Sequence, residues 1–308
     1  MRFFTTLAIA LQLACASMAH ASELVTRMVA INGQQIRVGT QSPDPGKPIV
    51  GDVLYLHGFG DRLDNHAALF AEWNKKGLRV ISFDYPGHGL SSGSINRYSV
   101  KTLGAFAGAV EKLTLQNPSR PLVLAGWSAG GLVAARVAEG KTDARFSRPL
   151  KGLVLIAPGL AVDLTPKNWD PSKIRECGNP DPHHAGEFRP TLLKGAPFLM
   201  SVIGNMNGAW KDPMPPNLPV ALYLGGDDKD RSVNTPKLRE WARKQRDLHG
   251  ADISGIQFDG LYHELDNELD EDGGAAVRNS IANFAAKAAR GQASGKSLPA
   301  PPGSHPID

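Results

Sequence analysis

Cysteine is almost missing from this chain. Cys15 and Cys177 are the only two in 308 residues, so no disulfide framework can hold the fold and a buried core must do it. Clustered basic charge is missing too. The formal net charge of +4 and the pI near 9.0 come from dispersed Lys and Arg, without the basic stripe that nucleic-acid binding needs, which leaves only mild attraction to anionic lipid or envelope surfaces. No internal repeat occurs. No set of His, Cys, Asp and Glu has metal-ligand spacing: His183-His184 beside Asp181 lacks further ligands and reads as polar residues of an inserted segment, a cap. Neither a metal nor another cofactor is implied. What is present is an ordinary globular composition, 42% hydrophobic and 21% charged, long enough for one domain with an insertion.

The longest apolar run is at the start. Met1-Arg2, an apolar stretch from Phe3 to Ala16 and then Ala19-His20-Ala21 have the charge, length and small-x-small ending of a secretory signal. Residues 1–21 are therefore read as a cleaved leader, Ser22 as the first mature residue, and the protein as secreted or periplasmic. Thr5, Thr6 and Gln12 interrupt the run too soon for a membrane span. Gln12 also weighs against a lipid anchor on Cys15, because it stands where a lipoprotein signal has an aliphatic residue. Cys177 lies in no Cys/His motif and reads as a loop or cap residue.

The stretch that organises the rest is Leu122 to Val137. A short apolar run ends in Gly126-Trp127-Ser128-Ala129-Gly130 and passes into a helical pattern, which predicts a buried strand, a very tight turn and a helix. Ser128 then sits at the turn, at a helix N-terminus where free N–H groups favour a developing oxyanion. Around it, Asn32-Gly33 predicts an antiparallel hairpin. Strands are expected at 49–56, 78–83, 150–157, 219–224 and 256–258, and helices at 66–76, 100–115, 236–249 and 274–289. Strands alternating with helices imply a mostly parallel sheet with helices on both faces. Residues 22–289 make up that domain, with a cap inserted at about 159–218, where regular patterning dissolves into Pro- and Asn-rich sequence. Residues 290–308, rich in Gly, Ser and Pro, are expected to be a disordered tail. His57-Gly58-Phe59-Gly60, Ser128, an acidic loop at 225–233 and His263 all fall at one edge of this sheet. His57 and His88 read as supports of their turns, and Asp84 as a loop hydrogen-bond acceptor.

His57-Gly58-Phe59-Gly60, the run from Asp84 to Ser91, Gly126 to Gly131, and Gly260-Leu261-Tyr262-His263-Glu264-Leu265-Asp266-Asn267-Glu268 resemble the α/β-hydrolase superfamily, and within it the monoacylglycerol lipase and lysophospholipase group. Trp127 departs from the group, which commonly has His there. The resemblance implies the α/β-hydrolase fold and a serine hydrolase of carboxylic esters acting on monoacylglycerol-like, lysophospholipid-like or medium-chain substrates. Peptidase or acyltransferase chemistry on the same residues is an alternative, as is, at greater remove, a non-catalytic binding relative. It implies Ser128 as nucleophile, His263 as base, and the backbone N–H groups of Phe59 and Ala129 as the oxyanion hole. For the acid, Asp230-Arg231-Ser232-Val233 fits the group's pattern and Asp230 is favoured, while counting from the strand end selects Asp228. Oligomeric state is left open.

Overall fold

A computed structural model describes residues 23–162, 196–227, 229–230, 232–295 and 298–307. The expected leader with Cys15, the 163–195 part of the expected cap with Cys177 and His183-His184, and Asp228 lie outside these residues. None of the described helices is long and apolar enough to cross a membrane.

The fold grows from a hairpin onto a parallel sheet. β1 (Val25–Ile31) and β2 (Gln34–Gln41) pair antiparallel around Asn32 and Gly33, both at positive φ, as a two-residue hairpin turn requires. Next come β3 (Gly51–Leu56), α1 (Ala67–Lys75), β4 (Leu78–Phe83), α2 (Val100–Thr114), β5 (Leu122–Trp127), α3 (Ala129–Ala138) and β6 (Leu150–Ile156). After the undescribed stretch follow α4 (Ala196–Ala209), β7 (Val220–Gly225), α5 (Thr235–His249), β8 (Ile253–Phe258), α6 (Gly274–Ala289) and β9 (His305–Pro306). The described strands form one sheet in the order β1-β2-β4-β3-β5-β6-β7-β8-β9. From β4 through β8 every neighbour is parallel, and β3, β4, β5, β7 and β8 are buried along their whole length. That is the pattern of a sheet covered on both faces. α1 and α6 pack together on it, as do α2 and α3.

Register sets the site. Leu56 pairs with Gly126, Trp127 with Ile156, and Gly225 with Phe258, so the loops that begin at His57, Ser128, Gly226 and Asp259 leave the sheet at one carboxyl edge, where ligands bind in open α/β folds.

The tail corrects the expectation of disorder. His305 and Pro306 add β9 antiparallel to β8, and Ile307 is buried in a slot that Gly255 leaves open: a Cβ there would lie 2.3 Å from Ile307 Cδ1. Composition pointed to a loose end, but one apolar side chain matched to one glycine anchors it. Within the expected cap, where patterning dissolves in the sequence, the described residues include one regular helix, α4. Arg136 on α3 holds this helix and its exit, through Asn205 Oδ1 at 3.2 Å and Asp212 at 2.8 Å.

At the opposite edge of the sheet, Asp52 gathers charge. Arg79 bonds both its carboxylate oxygens, at 2.9 and 3.0 Å, and Arg148 approaches to 2.8 Å. Burial alone would raise the Asp52 pKa, but the two guanidiniums outweigh it and hold the carboxyl below its ordinary value. A depressed folded pKa stabilises fully above the unfolded carboxylate range, near about 4, and the contribution is lost as pH falls through the folded value. Asp52→Asn should therefore cost about 3–5 kcal/mol at pH 7, because it strands buried guanidiniums, and should flatten the loss of stability below about pH 4. Urea melts at pH 7 and pH 3 read both effects; a mutant cost as large at pH 3 as at pH 7 would contradict the assignment.

Candidate active site

Two missing Cβ atoms allow the turn at Ser128. A Cβ on Gly126 would lie 2.4 Å from Gly130 O, and one on Gly130 would lie 2.0 Å from Leu56 O and 2.5 Å from His57 O. With hydrogens there instead, α3 presses onto the end of β3. Ser128 then takes φ 53° and ψ −121°, a backbone conformation an L-residue holds only under strain, at about 1–3 kcal/mol. Its backbone is fixed on both sides, N–H to Ile156 O at 3.0 Å and C=O from Gly159 N–H at 2.7 Å. The side chain is left standing at the N-terminus of α3.

His263, in the loop after β8, meets it there. His263 Nε2 lies 2.9 Å from Ser128 Oγ, and His263 Nδ1 lies 3.0 Å from Asp230 Oδ2. Asp230 and His263 are both buried. The other Asp230 oxygen accepts the N–H groups of Ser232 and Val233 at 2.9 and 3.1 Å, and its own N–H donates to Gly226 O at 2.9 Å, so the carboxylate is aimed by its own loop. Three residues far apart in sequence thus form one hydrogen-bonded chain, with the favoured Asp230 as the carboxylate in it.

Phe59 and Ala129 border one small apolar cavity beside Ser128. Ala129 opens α3, where the first N–H groups of a helix have no partner within it. The Phe59 loop is fixed by His57, whose Nε2 accepts the Tyr85 N–H at 3.2 Å, so Nδ1 carries the proton and donates to Gly58 O at 2.7 Å. Burial lowers the His57 pKa and pushes that of His88 down to about 3, so both are neutral supports. Asp84 accepts from Leu63 N–H at 2.8 Å and Leu90 N–H at 2.9 Å, the loop role read from its position. Phe198 of α4 stacks on Phe59 at 5.8 Å and places α4 against this loop.

Trp127 has a structural task that its type alone did not reveal. Its Nε1–H donates to His263 O at 2.9 Å, and a Cβ on Gly58 would lie 2.3 Å from its ring. The indole therefore fills the space between the Phe59 loop and the His263 loop. His66, Asp61 and Asp266, whose side chains bond one another below this ring, were not singled out as a group in the sequence. The only available signal was Asp266 in the segment after His263.

A parallel sheet with its serine on a strained strand-to-helix turn, hydrogen-bonded to a histidine after the last parallel strand, defines the class: the chain has the α/β-hydrolase fold. The profile of the family described as "Serine aminopeptidase, S33" matches residues 47–180. A Mycoplasma pneumoniae protein, named provisionally as an esterase or lipase, is 31% identical over 35% of this chain and 37% of its own length. A Mycoplasma genitalium protein of the same name is 30% identical over 34% and 37%. The chain thus spans little more than a third of the length of these relatives. Among solved structures, a thermostable carboxyl esterase of Bacillus coagulans in complex with glycerol has a TM-score of 0.64 at 18% identity, covering 87% of this chain and 99% of that one. A soluble variant of the Saccharomyces cerevisiae monoglyceride lipase with a substrate analogue has 0.64 at 17%, covering 88% and 96%.

The strain at Ser128 predicts an order of stabilities. Ser128→Gly should be more stable than Ser128→Ala by about 1–3 kcal/mol, since glycine adopts the turn without penalty and alanine does not. Denaturant melts of the two variants check it; an alanine variant as stable as the glycine variant would show that the turn is unstrained.

Proposed function

We propose that this protein is a serine hydrolase of carboxylic esters, and the observation that carries the reading is the chain Ser128 Oγ–His263–Asp230 at 2.9 and 3.0 Å. Ser128 Oγ attacks the ester carbonyl carbon as its proton passes to His263 Nε2. Asp230 holds Nδ1–H, which fixes the tautomer and stabilises the imidazolium that forms. The carbonyl oxygen becomes an oxyanion facing the N–H groups of Ala129 and Phe59; each such donor supplies on the order of 3 kcal/mol to the transition state. The intermediate collapses as His263 returns the proton to the leaving alkoxide. The alcohol departs and Ser128 keeps the acyl group. Water then attacks the acyl-enzyme with His263 again as base, and the carboxylate is released.

For substrates we propose monoacylglycerol-like, lysophospholipid-like or other medium-chain esters. The cavity beside Phe59 and Ala129, about 10 Å³ in volume, is too small for a chain as it stands, but its walls, among them Leu103, Leu132, Val133, Phe198 and Val202, are apolar, and a site that opens along them favours an acyl chain over a charged group. The solved esterase and monoglyceride lipase share this fold and support the same class. Peripheral contact with an anionic lipid surface and export by residues 1–21 belong to the same reading. The family match favours one alternative, hydrolysis of an N-terminal peptide bond by the same residues.

One panel separates these readings. p-Nitrophenyl esters from acetate to laurate and monoacylglycerols are run beside aminoacyl p-nitroanilides. If the cavity takes the chain, kcat/KM rises about fourfold per buried methylene, from about 0.8 kcal/mol each, until the pocket is filled. Ser128→Ala should lose about a million-fold in turnover and all fluorophosphonate labelling. Efficiencies that fall steadily from acetate to laurate would leave a small-ester hydrolase; anilides cleaved in preference to every ester would leave the aminopeptidase; undiminished labelling of Ser128→Ala would remove the serine reading.

A further inference from the structure

His66 lies at the start of α1 with its ring wholly buried. Its Nδ1 is 2.6 Å from Asp266 Oδ2 and its Nε2 is 2.7 Å from Asp61 Oδ2, and both carboxylates are buried as well. A neutral imidazole has one N–H and can donate to one carboxylate only. With a carboxylate on each nitrogen, the ring carries both protons. Burial opposes that charge, but Asp266 and Asp61 outweigh it and raise the His66 pKa well above its ordinary value, while the same pairing lowers Asp61 to about 2. Asp61 accepts a further bond from Asn65 Nδ2 at 2.5 Å.

The places these partners occupy give the ion triad its meaning. Asp61 stands two residues after Phe59, on the loop that carries one oxyanion-binding N–H. Asp266 stands three residues after His263. The His66 ring packs on Trp127 at 5.5 Å, the residue before Ser128, and Trp127 in turn bonds the His263 carbonyl. The His66–Asp266 pair joins the segment that follows the Phe59 loop to the His263 loop. Asp266 is held in place from its other side by Arg278, which donates to the Asp266 carbonyl at 2.7 Å.

We propose that His66 is a positioning residue: as a buried imidazolium clamped between Asp61 and Asp266, it sets the separation of the oxyanion-binding Phe59 amide from the general base His263. It touches no substrate atom and acts through the two loops it joins. The proposal rests on the reading of Ser128 and His263 as the catalytic pair, and its consequence is kinetic: a slack clamp leaves substrate binding intact and misplaces the donors that matter in the transition state, where an error of about 1 Å can cost on the order of 100-fold.

The test begins with the wild-type protein and a fluorophosphonate, whose failure to label Ser128 would sink the serine reading itself. In the same protein, with 15N-labelled histidine and the His66 signal assigned through its contact with the Trp127 indole, both His66 nitrogens should be protonated at pH 8. A neutral ring would overturn the proposal without any variant. Asp266→Asn should then lower kcat by about 10- to 100-fold with KM changed less than about threefold, and should weaken binding of an alkyl boronic acid, which mimics the tetrahedral intermediate, by the same factor as kcat. Because a half-broken buried pair can unfold a protein, a triple variant, Asp61→Asn, His66→Phe and Asp266→Leu, removes all three charges at once. It should melt near the wild-type temperature with the same kcat and boronate defect. Wild-type kcat in either folded variant, or lost kcat with unchanged boronate affinity, would show that the triad serves stability alone.

Discussion

The structure depends on two places where a side chain is forbidden. With hydrogens at Gly126 and Gly130, the backbone of α3 can lie against the carbonyls of Leu56 and His57. That approach brings the first N–H groups of the helix beside the loop after β3. A methyl at Gly130 would lie 2.0 Å from Leu56 O and 2.5 Å from His57 O, and the two would have to move apart. The same closeness forces Ser128 into its positive-φ turn. Strain of about 1–3 kcal/mol at one residue is a sizeable share of a net stability of about 5–15 kcal/mol, so the surrounding sheet, buried on both faces, must over-determine the turn.

Charge is placed at both ends of this sheet and does different work at each. At one edge the buried Asp52 carboxylate pairs with Arg79 and Arg148. At the other, His263 bonds a carboxylate through one nitrogen and a serine hydroxyl through the other. His66, a few ångströms behind Trp127, has a carboxylate on both nitrogens and is held charged. The contrast follows from partner chemistry: a hydroxyl leaves an imidazole able to change state, and a second carboxylate takes that freedom away.

Much of the fold could be read from periodicity, because the strands and helices that flank the site are long and apolar on the buried side: β4 and α6 fall on the residues expected, and most other elements within two or three. β8 starts three residues earlier than its apolar run suggested, since Ser254 and Gly255 break the pattern and Gly255 is there to receive Ile307. The tail itself escaped because composition averages over residues while an anchor needs one. In the site, the Gly-x-Ser-x-Gly turn and the histidine after the last parallel strand are local signals and could be read as such. No local pattern separates Asp230 from Asp228: in the structure Asp230 N–H bonds Gly226 O and Asp230 Oδ2 lies 3.0 Å from His263 Nδ1, while Asp228 lies outside the described residues. The Asp61–His66–Asp266 group spans about two hundred positions, and nothing in the spacing of its members announces that they meet.

Ser128, His263 and Asp230 are joined by one chain of hydrogen bonds, at 2.9 and 3.0 Å. Proton NMR in water tests it without reference to any substrate. An imidazole Nδ1–H donated to a buried carboxylate resonates far downfield of the amides, and one such signal should belong to His263, persist in Ser128→Ala and in Asp228→Asn, and vanish in Asp230→Asn. A His263 signal that survives Asp230→Asn and is lost in Asp228→Asn would contradict the account at its centre.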